Sequence, residues 1–341
     1  MFDGPTNLRR RLRFLVRLAV AGVAVTVTLI LGAAGWQELR TWRDRRDFPA
    51  TGKLIPVGDG EIHLSCIGTG SPTVVISGGT GVLSLQWARI QRELAKNNRV
   101  CAWDRPGFAW SSPGSDPHTA GQSAEELYTA LRGAREYGPY LLVGESYGGY
   151  VARLFQNDHT PAVAAMVLVE SAHERQWDAI PEARALLLAV RPKLKAVVWL
   201  SRLGFLRWNI SDYGQDLPPD VRAALIAFQA HTATVKAALN EIDGVLESAR
   251  QVSNARPLGL LPLVVVSAGH SFQKFLPNGD PAHLHQMNEK WMLLQNDLCH
   301  LSTNCVHLIQ PEATHGIARE QPAFVVNAIH RALDMVARVY H

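Results

Sequence analysis

A chain of 341 residues with 47% hydrophobic and 19% charged residues can bury a large core, which excludes an intrinsically disordered protein. The excess of positive charge lies at one end of the chain, whose net charge is +4. Residues 1–53 hold ten Lys and Arg against four Asp and Glu, or +6, and the remaining 288 residues carry −2. The main part of the chain therefore has no excess of basic residues, and nucleic acid is excluded as a partner.

The first predicted element is a membrane anchor at residues 1–35. The uncharged stretch 18–34 follows five arginines: Arg9, Arg10, Arg11, Arg13 and Arg17. With residues 14–16 the span reaches the roughly 20 residues that cross a bilayer. Arginines hold their end in the cytoplasm, so the remainder is predicted on the extracytoplasmic, periplasmic or extracellular side. A cleaved signal peptide, which would make the protein secreted, is the open alternative.

After a charged linker at residues 36–53, apolar strand patterns alternate with helical patterns. Strands are predicted at 61–67, 72–77, 99–103, 140–143 and 162–170, and again at 262–267 and 305–309. Between the two sets, residues 171–261 show helical patterns and no strand pattern. Alternation of this kind predicts a mostly parallel sheet covered by helices on both faces. We therefore predict an α/β core at 54–170 and 262–341 with a helical lid at 171–261.

Four cysteines fit an oxidising compartment. Cys66 and Cys101 lie on predicted strands, whereas Cys299 and Cys305 are six residues apart near a later strand. Two disulfides, Cys66–Cys101 and Cys299–Cys305, are one interpretation. Four buried, unbonded cysteines are the other. No Cys or His spacing suggests zinc, and no cofactor is predicted.

The most informative stretch is Gly-Glu-Ser-Tyr-Gly at residues 144–148, which lies between a predicted strand and a predicted helix. This is the G-x-S-x-G pattern, in which a sharp turn exposes the serine at the start of the helix. Gly144 and Gly148 are needed because strand and helix approach each other closely there. Ser146 is therefore a candidate nucleophile.

Further motifs follow in a defined order, and together they resemble the α/β-hydrolase-fold enzymes of the esterase, lipase and peptidase type. They are Gly-Gly-Thr-Gly (78–81), Asp-Arg-Pro-Gly-Phe-Ala-Trp-Ser (104–111), Gly-Glu-Ser-Tyr-Gly-Gly (144–149), Leu-Val-Glu-Ser-Ala-His (168–173) and Thr-His-Gly-Ile (314–317). The resemblance covers residues 54–341. It implies an α/β-hydrolase fold and a Ser-His-acid triad.

The resemblance assigns His315, which follows the last strand, as the general base. The acid of this family usually follows the strand after the lid, but the first carboxylate there is Asp280, about a dozen residues further on. Glu170, at the end of the strand before the lid, is the favoured acid, and Asp280 stays open. Backbone N–H groups of Tyr147 and Thr80 are expected to form the oxyanion hole, with Gly79 as the alternative to Thr80.

These residues predict a membrane-anchored serine hydrolase that cleaves carboxylic esters of small acyl substrates through an acyl-enzyme. An aminopeptidase of the proline-iminopeptidase type is the first alternative, because residues 104–111 resemble its Asp-Arg-Pro-Gly-x-x-x-Ser motif. A non-catalytic binding module on the same fold is the second. Haloalkane dehalogenases and epoxide hydrolases use an aspartate where this chain has Ser146.

Overall fold

The structure is a computed structural model that describes residues 5–208, 210 and 214–339. Its centre is one eight-stranded sheet with the order β1-β2-β4-β3-β5-β6-β7-β8. β2 is antiparallel to both of its neighbours, β1 and β4. The strands β3 to β8 are parallel to one another. The strands are β1 Lys53–Val57, β2 Gly60–Ile67, β3 Thr73–Ser77, β4 Val100–Asp104, β5 Tyr140–Glu145, β6 Val163–Val169, β7 Leu263–His270 and β8 Cys305–Thr314.

Helices cover both faces of this sheet. α3, α4 and α9 pack on one face, and α2 and α11 pack on the other. The helices are α1 Pro5–Asp47, α2 Ala88–Leu94, α3 Ala120–Gly133, α4 Tyr147–Asp158, α5 Gln176–Ala179, α6 Pro181–Ser201, α7 Pro219–Gln229, α8 Thr232–Ser253, α9 Pro281–Cys299, α10 Ile317–Glu320 and α11 Pro322–Val339.

The central strands are continuous apolar runs because both of their faces are buried. In β5, Tyr140 and Leu142 point into the core beneath α3 and α4, whereas Leu141 and Val143 point into the core beneath α2 and α11. All seven residues of β6 are buried. Side chains alternate between the faces of a strand, so an apolar residue is required at every position of a strand covered on both sides. The predicted α/β fold with a mostly parallel sheet is confirmed.

Four helices, α5 to α8, are inserted between β6 and β7 and form a cap. Side chains of α6 and α8 line a cavity together with Ser146, so the cap lies over the carboxyl end of the sheet. The carboxyl ends of parallel strands are where α/β sheets hold their ligands. The cap therefore forms one wall of any site at Ser146.

One strand that the sequence analysis does not predict is β1, Lys53–Val57. It contains Pro56, which has no N–H to give to a ladder, and proline in a strand pattern argues against a central strand. β1 lies at the edge of the sheet and pairs only with β2. Proline is tolerated at such an edge position, which explains why the pattern is weak.

The predicted linker at 36–53 is replaced in part by helix, because α1 continues without interruption to Asp47. Gln37 and Asp44 are buried in this segment. They are seven residues apart and so share one helix face. That face packs on the cap. This packing stabilises as helix a polar segment whose sequence resembles a linker. The apolar part of α1 is exposed, and the helix is long and apolar enough to cross a membrane by length and composition.

Both cysteine pairs are bonded in the structure. Cys66 on β2 lies opposite Cys101 on β4 in the antiparallel register, and the two form a disulfide. Cys299 at the end of α9 is bonded to Cys305 at the start of β8. The first bond joins two adjacent strands of the sheet, and the second joins α9 to β8, so both lie in the α/β core and not in the cap.

Candidate active site

Ser146 lies at the apex of a tight turn between β5 and α4. Its backbone has φ +49° and ψ −118°, a strained conformation for a residue with a side chain. A Cβ on Gly148 would lie 2.0 Å from the Ser77 carbonyl oxygen, and one on Gly144 would lie 2.6 Å from the Gly148 carbonyl oxygen. Only glycine fits at both positions, as the sequence pattern predicts. The turn places the Ser146 hydroxyl at the carboxyl end of the sheet.

Three strand ends bring three polar side chains together. Ser146 follows β5, Glu170 follows β6 and His315 follows β8. The Nε2 atom of His315 is 3.1 Å from Ser146 Oγ, and its Nδ1 atom is 3.0 Å from Glu170 Oε2. The structure thus joins the three predicted residues in one hydrogen-bonded chain. In this arrangement a carboxylate orients an imidazole toward a hydroxyl.

The Glu170 carboxylate is fully buried and has several donors around it. Oε1 accepts the Ala268 N–H at 2.7 Å, and the indole N–H of Trp291 lies 3.2 Å from Oε1 and 3.1 Å from Oε2. A buried carboxylate requires such partners, because losing water without replacing its hydrogen bonds is costly. Trp291 is missed by the sequence analysis, since nothing local to α9 indicates that its indole reaches Glu170.

Asp280, the other candidate acid, has a different position. Its side chain is exposed and accepts the His283 N–H at 2.9 Å, which makes it the N-cap of α9. Asp followed by Pro281 at the first helical position is a common start of a helix. The position of Asp280, well after the end of β7, is therefore explained by its role as the N-cap of α9.

The loop at 78–81 lies directly beside the nucleophile. A Cβ on Gly79 would be 3.1 Å from the Cβ of Ser146. The N–H of Gly79 donates to Glu145 at 3.3 Å and that of Gly81 donates to Glu241 at 3.3 Å. Thr80, between them, lines both cavities that reach Ser146. Because both neighbouring N–H groups have acceptors, this geometry favours Thr80 over Gly79 as the loop's oxyanion donor.

Tyr147 is the residue expected to give the other donor. It is the first residue of α4, and the first N–H groups of a helix have no acceptor inside that helix. Such a helix start favours negative charge. The expected role of the Tyr147 and Thr80 N–H groups as donors to an anionic oxygen stays a prediction.

A buried ion pair holds the 78–81 loop in place. Arg105 donates to the carbonyl oxygens of Gly78 and Gly79 at 2.7 Å each, and its Nε donates to Glu241. Burial would lower the pKa of Arg105, but the neighbouring Glu241 carboxylate outweighs it, and the pKa is raised. Arg105 lies in the motif at residues 104–111 that carries the family resemblance. Glu241 on α8 lies in none of these motifs and was not predicted from the sequence. A charged residue one helical turn from buried Ala237 and Val245 is the signal that could have found it.

Two cavities meet at Ser146, Thr80 and His315. One, of about 240 Å³, is mainly apolar, with walls from α5, α6, α8 and α9 that include Trp177, Leu186, Leu187, Val190, Ile242 and Trp291. The other, of about 290 Å³, is more polar and includes Gln86, Glu145, Lys274 and Arg319. Burial raises the pKa of Glu145, against the opposing effects of His315 and the Gly79 N–H. A substrate carbonyl at Ser146 would thus have an apolar arm on one side and a polar arm on the other.

Among residues 5–208, 210 and 214–339, the group of potential ligands that lie close together is Cys66, Cys101 and Glu136. The two sulfurs are bonded to each other, so neither is a thiolate that could bind a metal.

Comparisons with known proteins agree with this architecture. The family described as alpha/beta hydrolase fold matches residues 72–221. Among solved structures, the Cif epoxide hydrolase from Acinetobacter nosocomialis is 16% identical and superposes with a TM-score of 0.65 over 88% of this chain and 96% of that chain. A membrane phospholipase A is 18% identical, with a TM-score of 0.58 over 95% of this chain and 99% of its own. Identities this low establish the fold alone.

Among curated proteins, an uncharacterized protein of Schizosaccharomyces pombe is 27% identical over 302 residues, which is 79% of this chain and 53% of that protein. The chain thus spans about half the length of this relative. The sheet order, the turn at Ser146 and the family match together lead to one conclusion: the chain has the α/β-hydrolase fold and resembles the α/β-hydrolase superfamily.

Proposed function

We propose that this protein is a membrane-anchored serine hydrolase that cleaves carboxylic esters. The observation that carries the proposal is the hydrogen-bonded chain from Ser146 through His315 to Glu170, with distances of 3.1 and 3.0 Å. A serine hydroxyl is a weak nucleophile unless a base takes its proton. Here an imidazole lies within hydrogen-bonding distance, and a carboxylate holds that imidazole.

The proposed reaction has two halves. His315 takes the proton of Ser146 as Oγ attacks the ester carbonyl. The resulting oxyanion accepts hydrogen bonds from the backbone N–H groups of Tyr147 and Thr80. His315 then gives the proton to the leaving alkoxide, and an acyl-enzyme remains on Ser146. Water, deprotonated by His315, attacks the acyl-enzyme; the carboxylic acid leaves and Oγ regains its proton. Glu170 keeps the imidazole in the required tautomer throughout.

The two cavities support an ester with an apolar acyl group. The walls of the smaller cavity are mostly aliphatic and aromatic, and burial of hydrocarbon is the main source of affinity in such a space. An aminopeptidase would need a carboxylate for the substrate's free amino group, and Glu145 in the polar cavity is the candidate. Glu145 already accepts the Gly79 N–H at 3.3 Å and burial raises its pKa, so it is a weaker partner for an ammonium group than an exposed carboxylate, and the esterase is proposed first.

The N-terminal helix supports the membrane part of the proposal. Its apolar window is entirely exposed in the folded chain, so no protein surface covers it. The arginines at its start are proposed to lie in the cytoplasm and the hydrolase domain on the extracytoplasmic side. Two disulfides are in keeping with that compartment. Protease protection of the full chain in inverted membrane vesicles tests this topology: a protected hydrolase domain is expected, and complete digestion would contradict it.

The ester assignment is tested with the full chain in detergent micelles and p-nitrophenyl esters from acetyl to palmitoyl. Turnover is expected for the wild type and not for Ser146→Ala, which keeps the fold but lacks the nucleophile. A proline 4-methylcoumarin amide tests the alternative in the same samples. Amide turnover without ester turnover would replace the esterase by the aminopeptidase, and no turnover of either substrate would favour the binding module.

A further inference from the structure

The last turns of α1 are fastened to the cap by buried polar contacts. Gln37 donates to the Ala230 carbonyl oxygen at 3.0 Å and accepts from Arg207 at 2.7 Å. Asp44 is 2.7 Å from Arg207 Nη1 and 3.1 Å from His231 Nε2. Because α1 is one uninterrupted helix from its apolar segment to these contacts, it connects the cap directly to the apolar segment.

An exposed apolar patch of the cap lies beside this junction. We call it the aromatic edge and define it as Trp199, Leu200, Phe205 and Trp208. Trp199 is 66% and Trp208 74% exposed, which is unusual for the largest apolar side chain in a protein surrounded by water. The edge contains apolar surface that the fold leaves uncovered.

The aromatic edge is at the level where the apolar part of α1 ends. Gly204 packs against Trp36, since a Cβ on Gly204 would be 2.4 Å from that indole ring. Trp36 and Trp208 also line one surface cavity. Trp36 is two residues beyond Ala34, the end of the apolar stretch predicted at 18–34, or about 3 Å along the helix axis. In a bilayer that contains α1, the edge would therefore be at the headgroups.

Cations next to the edge fit this position. Lys193, Lys195 and Arg202 are exposed on or just after α6. The Arg202 guanidinium lies 4.4 Å from the centre of the Trp199 ring. Tryptophan together with lysine and arginine is the composition of segments that lie at the membrane interface, where rings enter the headgroup layer and cations meet phosphates.

The same helix also borders the apolar cavity. Leu186, Leu187 and Val190 of α6 line the cavity that reaches Ser146. Val190 is partly exposed, so the cavity is open near this residue. One helix therefore lines the apolar cavity near its start and carries Trp199 and Leu200 of the aromatic edge at its end.

We propose that the aromatic edge lies in the headgroup layer of the bilayer that contains α1, and that the apolar cavity takes the acyl chain of an ester lipid from that bilayer. The first half rests on α1, the edge and its cations. The second half rests on the proposed esterase function. The substrate class is then a membrane-resident acyl ester, such as a phospholipid or an acylglycerol, and not a small ester from solution.

Tryptophan quenching tests the first half. The full chain is reconstituted in vesicles of phosphatidylcholine and phosphatidylglycerol, with or without bromine atoms on the acyl chains. Brominated lipid is expected to quench the wild type more strongly than Trp199→Phe/Trp208→Phe, which keeps apolar rings but lacks the two reporters. Equal quenching of the two proteins would show that neither indole reaches the lipid and would overturn the docking.

Lipid hydrolysis tests the second half. In Trp199→Ser/Trp208→Ser, release of fatty acid from vesicle phospholipid or diacylglycerol is expected to fall at least about tenfold, with p-nitrophenyl acetate turnover within about twofold of the wild type. Leu260→Ser is the control, because Leu260 is 80% exposed but precedes β7 at the opposite end of the sheet. It is expected to leave both rates unchanged. An unchanged rate on vesicle lipid in the double variant would overturn the proposal.

Assays of the wild type distinguish failure of the lipid-substrate proposal from failure of the proposed esterase function. Turnover of p-nitrophenyl acetate without any release of fatty acid from vesicles would overturn the lipid substrate and leave the esterase intact. Failure to cleave either substrate would overturn the esterase and the lipid substrate together. The quenching result decides the docking in both cases.

Discussion

The indole N–H of Trp291 points at the Glu170 carboxylate, 3.2 Å from Oε1 and 3.1 Å from Oε2. Its ring also packs edge-on against Phe272. Trp291 therefore fixes the orientation of the carboxylate that faces His315. A hydrogen bond to a charged group contributes about 1.5–3 kcal/mol, and its loss corresponds to about 10- to 100-fold in rate if it acts in the transition state.

Trp291→Phe is accordingly expected to lower kcat/KM for a short ester by about tenfold or more. Phenylalanine keeps the aromatic packing but has no N–H donor. The measurement is kcat/KM across pH 5–9, since a misplaced carboxylate changes the acid limb as well as the maximum. An unchanged pH profile with an unchanged maximum would show that Trp291 only fills space.

The acid assignment makes a prediction about two carboxylates. Glu170→Gln removes the group that selects the His315 tautomer, and a matching change in another triad hydrolase lowers kcat by about 10⁴. Asp280→Asn keeps a side-chain oxygen that caps α9. We expect a loss of about 10³- to 10⁴-fold for the first variant and less than twofold for the second, measured as kcat on a p-nitrophenyl ester. The reverse pattern would assign the acid to Asp280.

The ion pair of Arg105 and Glu241 predicts strong non-additivity. Both side chains are buried, so removing one leaves the other charge without its partner, at a cost of about 3–5 kcal/mol of stability. Arg105→Met and Glu241→Leu are each expected to lower the free energy of unfolding by that amount. The double variant should lose less than the sum of the two, as measured by denaturant titration of the full chain in micelles. Simple additivity would indicate that the pair does not interact.

Buried histidines predict a stability change at mildly acidic pH. Burial lowers the pKa of His173 below the ordinary histidine value of about 6.5, although Glu174 and Asp297 oppose this effect. The unfolded chain therefore binds a proton near pH 6.5 that the folded chain does not. Stability is expected to fall as pH drops from about 6.5 toward 5.

The control for this effect is His173→Gln, which cannot titrate. Its free energy of unfolding should change less between pH 6.5 and 5 than that of the wild type, whatever its absolute stability. His231 and His307 also have pKa values lowered by burial, so part of the pH dependence should persist in the variant. An identical slope in both proteins would show that His173 is not held in its neutral form.

The parts of the site that depend on local chain geometry could be predicted from the sequence. The turn at Ser146 is fixed by glycines two residues away on each side, and His315 and Glu170 follow strands that are themselves visible as apolar runs. Parallel strands align their carboxyl ends, so positions at strand ends become neighbours. The roles of these residues in catalysis remain predictions until they are measured.

Contacts between distant segments could not be predicted. Glu241 is 136 residues from Arg105, and Trp291 is 121 residues from Glu170. No periodicity or motif links such positions, because their contact depends on how the cap and α9 pack on the core. The helix after Ala34 could not be predicted for the same reason. Gln37 and Asp44 resemble linker residues in the sequence, and only their contacts with the distant cap bury them.

The central claim is that Ser146 is a nucleophile activated by His315. Its most direct test is intact mass and peptide mapping of the full chain after treatment with a fluorophosphonate. We predict one phosphonyl adduct per chain, located on Ser146, absent in Ser146→Ala, and formed at least about 100-fold more slowly in His315→Ala. A folded wild-type protein without an adduct, or an equal adduct in Ser146→Ala, would contradict it.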